Sequence, residues 1–192
     1  MKKPMHKLLL LVLVLSCSSL VFALPTTYTI NFEQYSEYTQ ITNQYSADYV
    51  TFQNALQLVA PYYDYFDFPP HSGSGVITND PNDPIIVDFS GLVWGVTGWY
   101  ADPNGITVTA YGTGGGVLDT VTGAPVTGSD LEFSVSATSP ISYITISDNT
   151  GSPDSEIVDD INYTVTPEPG SILLLGTGLL GLAGALRRKF AR

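Results

Sequence analysis

Between Leu24 and Leu186 the chain contains neither lysine nor arginine. Its 7 basic residues all lie at the ends: Lys2, Lys3 and Lys7 in front, Arg187, Arg188, Lys189 and Arg192 behind. All 18 carboxylates fall inside the base-free stretch, and only Glu168 lies beyond residue 166. The formal net charge of −11 therefore understates how acidic the body is. Such a body has no Lys or Arg salt bridges, so it must be held by apolar burial and backbone ladders against its own charge repulsion. It cannot neutralise phosphates, which excludes nucleic acid as a partner. An acidic surface without counter-charge suits solubility and can also gather divalent cations. Disorder is excluded by the 44% hydrophobic and 11% aromatic content, enough for a real core.

The body reads as strands. Period-2 segments occur near residues 27–32, 49–52, 56–59, 75–78, 85–89, 93–100, 106–111, 117–121, 131–135, 141–147 and 157–165. Ile106, Val108 and Ala110 form one apolar face of such a segment. Asp80-Pro81-Asn82-Asp83-Pro84, Asp102-Pro103-Asn104-Gly105, Gly112–Gly116 and Asp148–Asp154 are turn-formers between them. No body segment holds a helical period. At 192 residues the chain is a one-domain chain. The expected fold is all-β, a β-sandwich or jelly roll of about ten short antiparallel strands over residues 24–164.

The two ends are address labels. Lys2, Lys3 and Lys7, the apolar run Leu8–Leu15 and the small-residue site Val21-Phe22-Ala23 make residues 1–23 a cleavable secretory signal peptide. A competing reading takes Val14-Leu15-Ser16-Cys17 as a lipoprotein processing box with Cys17 lipidated. If the cut follows Ala23, the only cysteine is discarded and no disulfide or thiol site is left. At the other end, Pro167-Glu168-Pro169 precedes the apolar run Ile172–Leu186 and a basic tail over 187–192. A helix of that run spans only ~22 Å, short of the ~30 Å hydrocarbon core. Gly176, Gly178, Gly181 and Gly184 weaken it further. The basic cluster stays cytoplasmic by the positive-inside rule, which leaves the body outside. The glycines from Gly176 to Gly181 match the dinucleotide-binding G-x-G-x-x-G, but with no preceding strand or βαβ unit they belong to the membrane segment.

Motif, apolar helix and the Arg187-Arg188-Lys189 cluster over residues 165–192 resemble the PEP-CTERM sorting signal. The resemblance implies an exosortase as partner, recognition at Pro167, Glu168 and Pro169, and a transient anchor in the inner membrane. It implies a Gram-negative, exopolysaccharide-making host, and release to the cell surface or the extracellular matrix. In the body, Thr29-Ile30-Asn31-Phe32-Glu33 and Asp159-Asp160-Ile161-Asn162-Tyr163 are similar to the first and last strands of jelly-roll carbohydrate-binding-like domains common on such proteins.

Site chemistry is limited by what is missing. Once His6 leaves with the signal, His71 is the sole histidine; without Cys, Lys or Arg, cysteine nucleophiles, Schiff bases, arginine clamps and three-His zinc sites are unavailable. His71 is expected to be an ordinary loop residue. Residues 61–71, Pro-Tyr-Tyr-Asp-Tyr-Phe-Asp-Phe-Pro-Pro-His, pack five aromatics and two acids into a loop. Tyr62, Tyr63 and Tyr65 with Asp64 and Asp67 form a candidate glycan site, because ring faces stack on sugars and carboxylates accept from hydroxyls. The same rings would serve equally as core capping one end of the fold. Trp94 and Trp99 are expected in the core. Glu33 with Asp159 or Asp160 would gather oxygens for calcium if the first and last strands are neighbours, as would the 148–154 loop; no cofactor is otherwise required.

The leading expectation is a non-catalytic surface or matrix protein associated with exopolysaccharide. One alternative is a carbohydrate-active enzyme using paired carboxylates, and another is a purely structural matrix component. In a host with exosortase, mature released protein is expected to lack Arg187–Arg192; an intact mass that retains this tail would refute the sorting expectation.

Overall fold

A computed structural model describes residues 24–79, 84–150 and 156–166, together with Gly178 and Gly181. The chain divides into two compact units, residues 25–167 and the two termini. Within the terminal unit only Leu24, Gly178 and Gly181 are described, the two glycines as helical. The signal peptide, Cys17, Pro167-Glu168-Pro169, the bulk of the apolar run and the basic tail lie outside the described residues, as do 80–83 and 151–155. Among the described residues no helix is long and apolar enough to cross a membrane.

The body is all-β and antiparallel. Its strands are β1 (Thr26–Ile30), β2 (Gln40–Ile41), β3 (Val50–Gln53), β4 (Ala55–Val59), β5 (Gly75–Asn79), β6 (Ile85–Asp102), β7 (Ile106–Tyr111), β8 (Val117–Thr122), β9 (Val126–Asp148) and β10 (Ile157–Thr166). A 3-10 turn, Ser46–Asp48, precedes β3.

Two long strands build two layers from one chain path. The first part of β6 pairs with β3 and with the last part of β9, which continues to β7 and β8. The second part of β6 pairs with the first part of β9 and with β10, which is flanked in turn by β1 and β5, then β4 and β2. Both long strands change layer at the same place: Val93 stands opposite Ile141 and Gly95 opposite Ser136, with Ala137–Pro140 of β9 outside the ladder. Bulges at such corners let a strand bend from one layer to the next. Segments expected as separate strands at 85–89 and 93–100, and at 131–135 and 141–147, are thus parts of two continuous strands. The residues between them form a corner.

Each layer buries one face. Val50, Phe52, Val87, Ile144, Ile146 and Val108 come from the first layer; Ile30, Ile161, Tyr163, Val96, Phe133 and Val135 come from the second. All belong to one buried cluster, which makes the body a sandwich. Every residue of that cluster lies between Ile30 and Val165. The body therefore carries its own core and has what it needs to fold by itself. β10 runs to Thr166, two residues beyond the expected body boundary.

Truncating a fully buried residue such as Ile144 to Ala should cost ~2–5 kcal/mol, a large share of a marginal domain's stability. Thr109→Ala, on the outer face of the same layer, should stay within ~0.5 kcal/mol. Urea unfolding of the two variants checks this: the midpoint drops for Ile144→Ala alone, with the slope unchanged.

Candidate functional site

The 60–75 segment, which enters through a cis Ala60–Pro61 bond, crosses the second layer between β4 and β5. Its far end is held by carboxylates acting on backbone donors. Glu33, just past β1, accepts the N–H groups of Ser74 (2.8 Å) and Gly75 (2.7 Å) and the hydroxyl of Ser74 (3.3 Å). Asp159 accepts the Ser72 N–H (2.9 Å) and the Asp160 N–H (2.7 Å), while Asp160 accepts the Ser72 hydroxyl at 3.0 Å.

Consecutive strand residues normally point to opposite faces. Asp159 and Asp160 both reach Ser72 because β10 shifts register between Asp159 and Asn162, with Asp160 at φ +45°. Gly73, between the two anchor points, has φ +51°, and a Cβ there would lie 2.3 Å from the Glu33 carboxyl carbon. Only glycine fits this position.

The loop is also pinned to the outer face of the second layer. The His71 ring stacks on Trp99, with centroids 3.7 Å apart and planes 8° from parallel. His71 Nδ1 pairs with Asp130 Oδ2 at 2.5 Å, and the Gly128 N–H donates to the Asp67 carbonyl at 2.7 Å. Glu37 accepts the N–H of Val59 at the loop's entry.

The structure separates the expected loop aromatics into two sets. Tyr62 and Phe66 stand out in solvent, 73% and 74% exposed. Tyr65 lies against Phe66, centroids 4.2 Å apart. Asp64 and Asp67 are exposed beside them. Tyr63 and Phe68 instead pack on a small second core of Val76, Ala101 and Ile157. Burial, then the charges of Asp159, Glu37 and Glu33, push the Tyr63 phenol far above its ordinary range, so it stays neutral. Of the three candidate tyrosines, Tyr63 is therefore packed inward and Tyr62 is the freely presented ring.

Two expectations are corrected on the same face. Trp94 is 42% exposed and Trp99 lies half-buried under His71, so neither belongs to the core. Val93, Val96 and Tyr100 take the inward positions. The register shift between Val93 and Gly95 resets the alternation and turns Trp94 outward. His71, expected to be ordinary, is a clamp between loop and sheet.

The first and last strands are neighbours, as the calcium expectation required: Ile30 stands opposite Ile161. Glu33, Asp159 and Asp160 do converge on one loop, but their oxygens receive N–H and O–H donors of Ser72–Gly75. Among the described residues no three acids or histidines are grouped so as to hold a metal ion. Asp148 is turned inward on its own loop, accepting Thr150 N–H and, at 2.8 Å, the Asn104 amide.

Residues 165–189 match the PEP-CTERM protein-sorting motif. The chain thus carries an exosortase sorting signal and is an exported protein. No curated protein matches the chain. Among solved structures, the K2 cleaved adhesin domain of Lys-gingipain is 14% identical, with 73% of this chain and 100% of that one covered, at a TM-score of 0.49. Another cleaved adhesin domain of Lys-gingipain, from Porphyromonas gingivalis, is 12% identical over 72% of this chain and 97% of that one, at 0.46. A mutant family 29 carbohydrate-binding module is 8% identical over 73% and 91%, at 0.44. None of these values licenses a transfer of function.

Asp159 gives the site a pH signature. Burial pushes its carboxyl up to about 7, with Asp160 adding to the rise and the Ser72 N–H opposing it. An unfolded aspartate titrates near ~3.9, so the folded protein retains a proton that the unfolded chain releases. That stabilisation is complete below about pH 4 and is lost as pH rises through about 7. Melting temperature at constant ionic strength should fall from about pH 5 to about pH 8, and Asp159→Asn should flatten part of that fall. An unchanged profile in the variant would place the titration elsewhere.

Proposed function

We propose that this exported, exosortase-sorted protein is a non-catalytic surface or matrix component whose β-sandwich associates with extracellular polysaccharide. The observation that carries this reading is the braced loop that presents Tyr62 and Phe66 to solvent beside Asp64 and Asp67. Large apolar rings held out in water on a fixed loop suit stacking on the C–H faces of sugars, and the adjoining carboxylates suit their hydroxyls. The sorting signal supports the reading by delivering the body to the outside of the cell.

A catalytic alternative finds less support. Asp159 is the acid whose affinity for protons would suit general acid chemistry, yet it is 2% exposed and held by two backbone donors. Glu33 accepts three donors at once. In this reading these acids hold the loop in place. No cofactor takes part in this reading, and the inner-membrane anchor serves only for delivery.

Tyr62→Ala or Phe66→Ala in the isolated body, residues 24–167, should weaken retention in gels containing the host's exopolysaccharide several-fold, with melting temperature nearly unchanged. Each exposed ring is assigned ~1 kcal/mol of stacking. Tyr63→Ala should do the reverse, melting early because its ring packs on Val76, Ala101 and Ile157. Chelation of calcium should leave retention unchanged. Retention unaffected by Tyr62→Ala and Phe66→Ala would remove the loop from the glycan site.

A further inference from the structure

The outer face of the second layer is organised independently of the loop rings. Thr97 of β6 stands between Asn162 of β10 and Ser134 of β9, so one row across three strands carries a hydroxyl, an amide and a hydroxyl. Thr29 of β1 extends that row and donates its hydroxyl to Asn162 Oδ1 at 2.5 Å. The Asn162 amide nitrogen donates to the Asp160 carbonyl at 2.7 Å. These two bonds fix the amide plane.

On one side of the row lies Trp94, its indole open to solvent, with Ser136 across from the neighbouring Gly95. On the other side the Trp99 indole rises from the sheet with His71 stacked on it. The two indoles stand five residue steps apart along the strand, or ~16 Å at ~3.3 Å per step. The result is a trough floored by small neutral polar groups, with a free aromatic face at one end and the Trp99–His71 stack as a wall at the other.

Charge decides what this trough can hold. The body has no Lys or Arg. The ionisable groups at the wall are His71 with its partner Asp130, and Glu132 and Asp159, which stand opposite Trp99 on its two sides. A polyuronate or sulfated chain would meet carboxylates and no Lys or Arg at close range, which costs free energy. An uncharged chain meets hydroxyl and amide partners and an indole face, the polar and apolar mixture that sugar rings themselves carry.

We propose that the trough between Trp94 and the Trp99–His71 stack is a binding site for an uncharged oligosaccharide segment, with Trp94 as the stacking residue. This rests on the glycan reading above and adds to it a second contact surface and the charge class of the polymer. Trp94 is the residue to probe, because it is the open ring and contributes nothing to the core.

The isolated body, run by affinity electrophoresis in gels of a neutral glucan, a mannan, a galactan and polygalacturonate, tests both parts. At least one neutral gel should retard it and polygalacturonate should not. Trp94→Ala should lower the neutral-gel affinity about fivefold, while Trp94→Phe retains most of it and both variants melt with the wild type. Retention by polygalacturonate alone would overturn the charge class. Wild-type retention in Trp94→Ala, with loss in Tyr62→Ala, would overturn the trough and leave the loop as the site. Early melting of Trp94→Ala would show the ring to be structural and also overturn it. Absence of retention in every gel would refute the glycan reading, and the trough with it.

Discussion

Carboxylates in this body have no lysine or arginine to pair with, and the structure answers by giving them backbone N–H groups. Glu33, Glu37, Asp102, Asp119, Asp148 and Asp159 each accept a main-chain donor from a turn, a strand end or, for Asp119, the corner of β9. A charge-assisted bond of this kind is stronger than a neutral one, and it satisfies donors that a loop would otherwise leave to water. The acids thereby become fasteners. Asp119 ties β8 to Ser136 of β9, Glu37 ties the chain after β1 to Val59, and Glu33 and Asp159 tie the loop that ends at β5. The contact of His71 with Asp130 uses the single histidine of the body at the point where that loop meets the sheet.

That fastening explains how the loop can hold aromatic rings apart from the core. An unbraced loop bearing Tyr62, Tyr63, Tyr65, Phe66 and Phe68 would gain by folding all of them inward. Here the register shift in β10 and the glycine at position 73 set the loop's far end, and Tyr63 and Phe68 anchor its near side on Val76, Ala101 and Ile157. With both sides fixed, Tyr62 and Phe66 have no inward course open to them. The exposure of these rings follows from hydrogen bonds made several residues away.

Much of the fold was legible in the sequence. Alternation at Ile106–Tyr111 and 141–147 marks strands directly, and the turn chemistry at Asp102–Gly105 and Gly112–Gly116 separates them correctly. The two-residue β2 offers no period to detect. Continuity of β6 and β9 was hidden because the alternation lapses where the two strands shift register and form the corner between layers. The same corner misled the placement of Trp94: hydrophobicity argues for burial, but the bulge between Val93 and Gly95 shifts which residues face inward. The aromatic loop, the acid just past β1 and those of β10 were visible as candidates. Their division of labour was not, since it depends on which donors lie within reach of Glu33, Asp159 and Asp160. The stacking of His71 on Trp99 joins residues far apart in the chain and leaves no local signal.

β10 holds one further consequence. Val165 is paired on both sides, with Thr26 and with Val93, and Thr166 with Leu92, while the sorting motif already begins at residue 165. Address label and structural strand therefore share two residues. A scission at or before Thr166 would strip rungs from a strand enclosed between β1 and β6, whereas one beyond it detaches the label and leaves the ladder complete. The folded body thus sets an upstream limit on where a processing enzyme can cut without undoing what it releases.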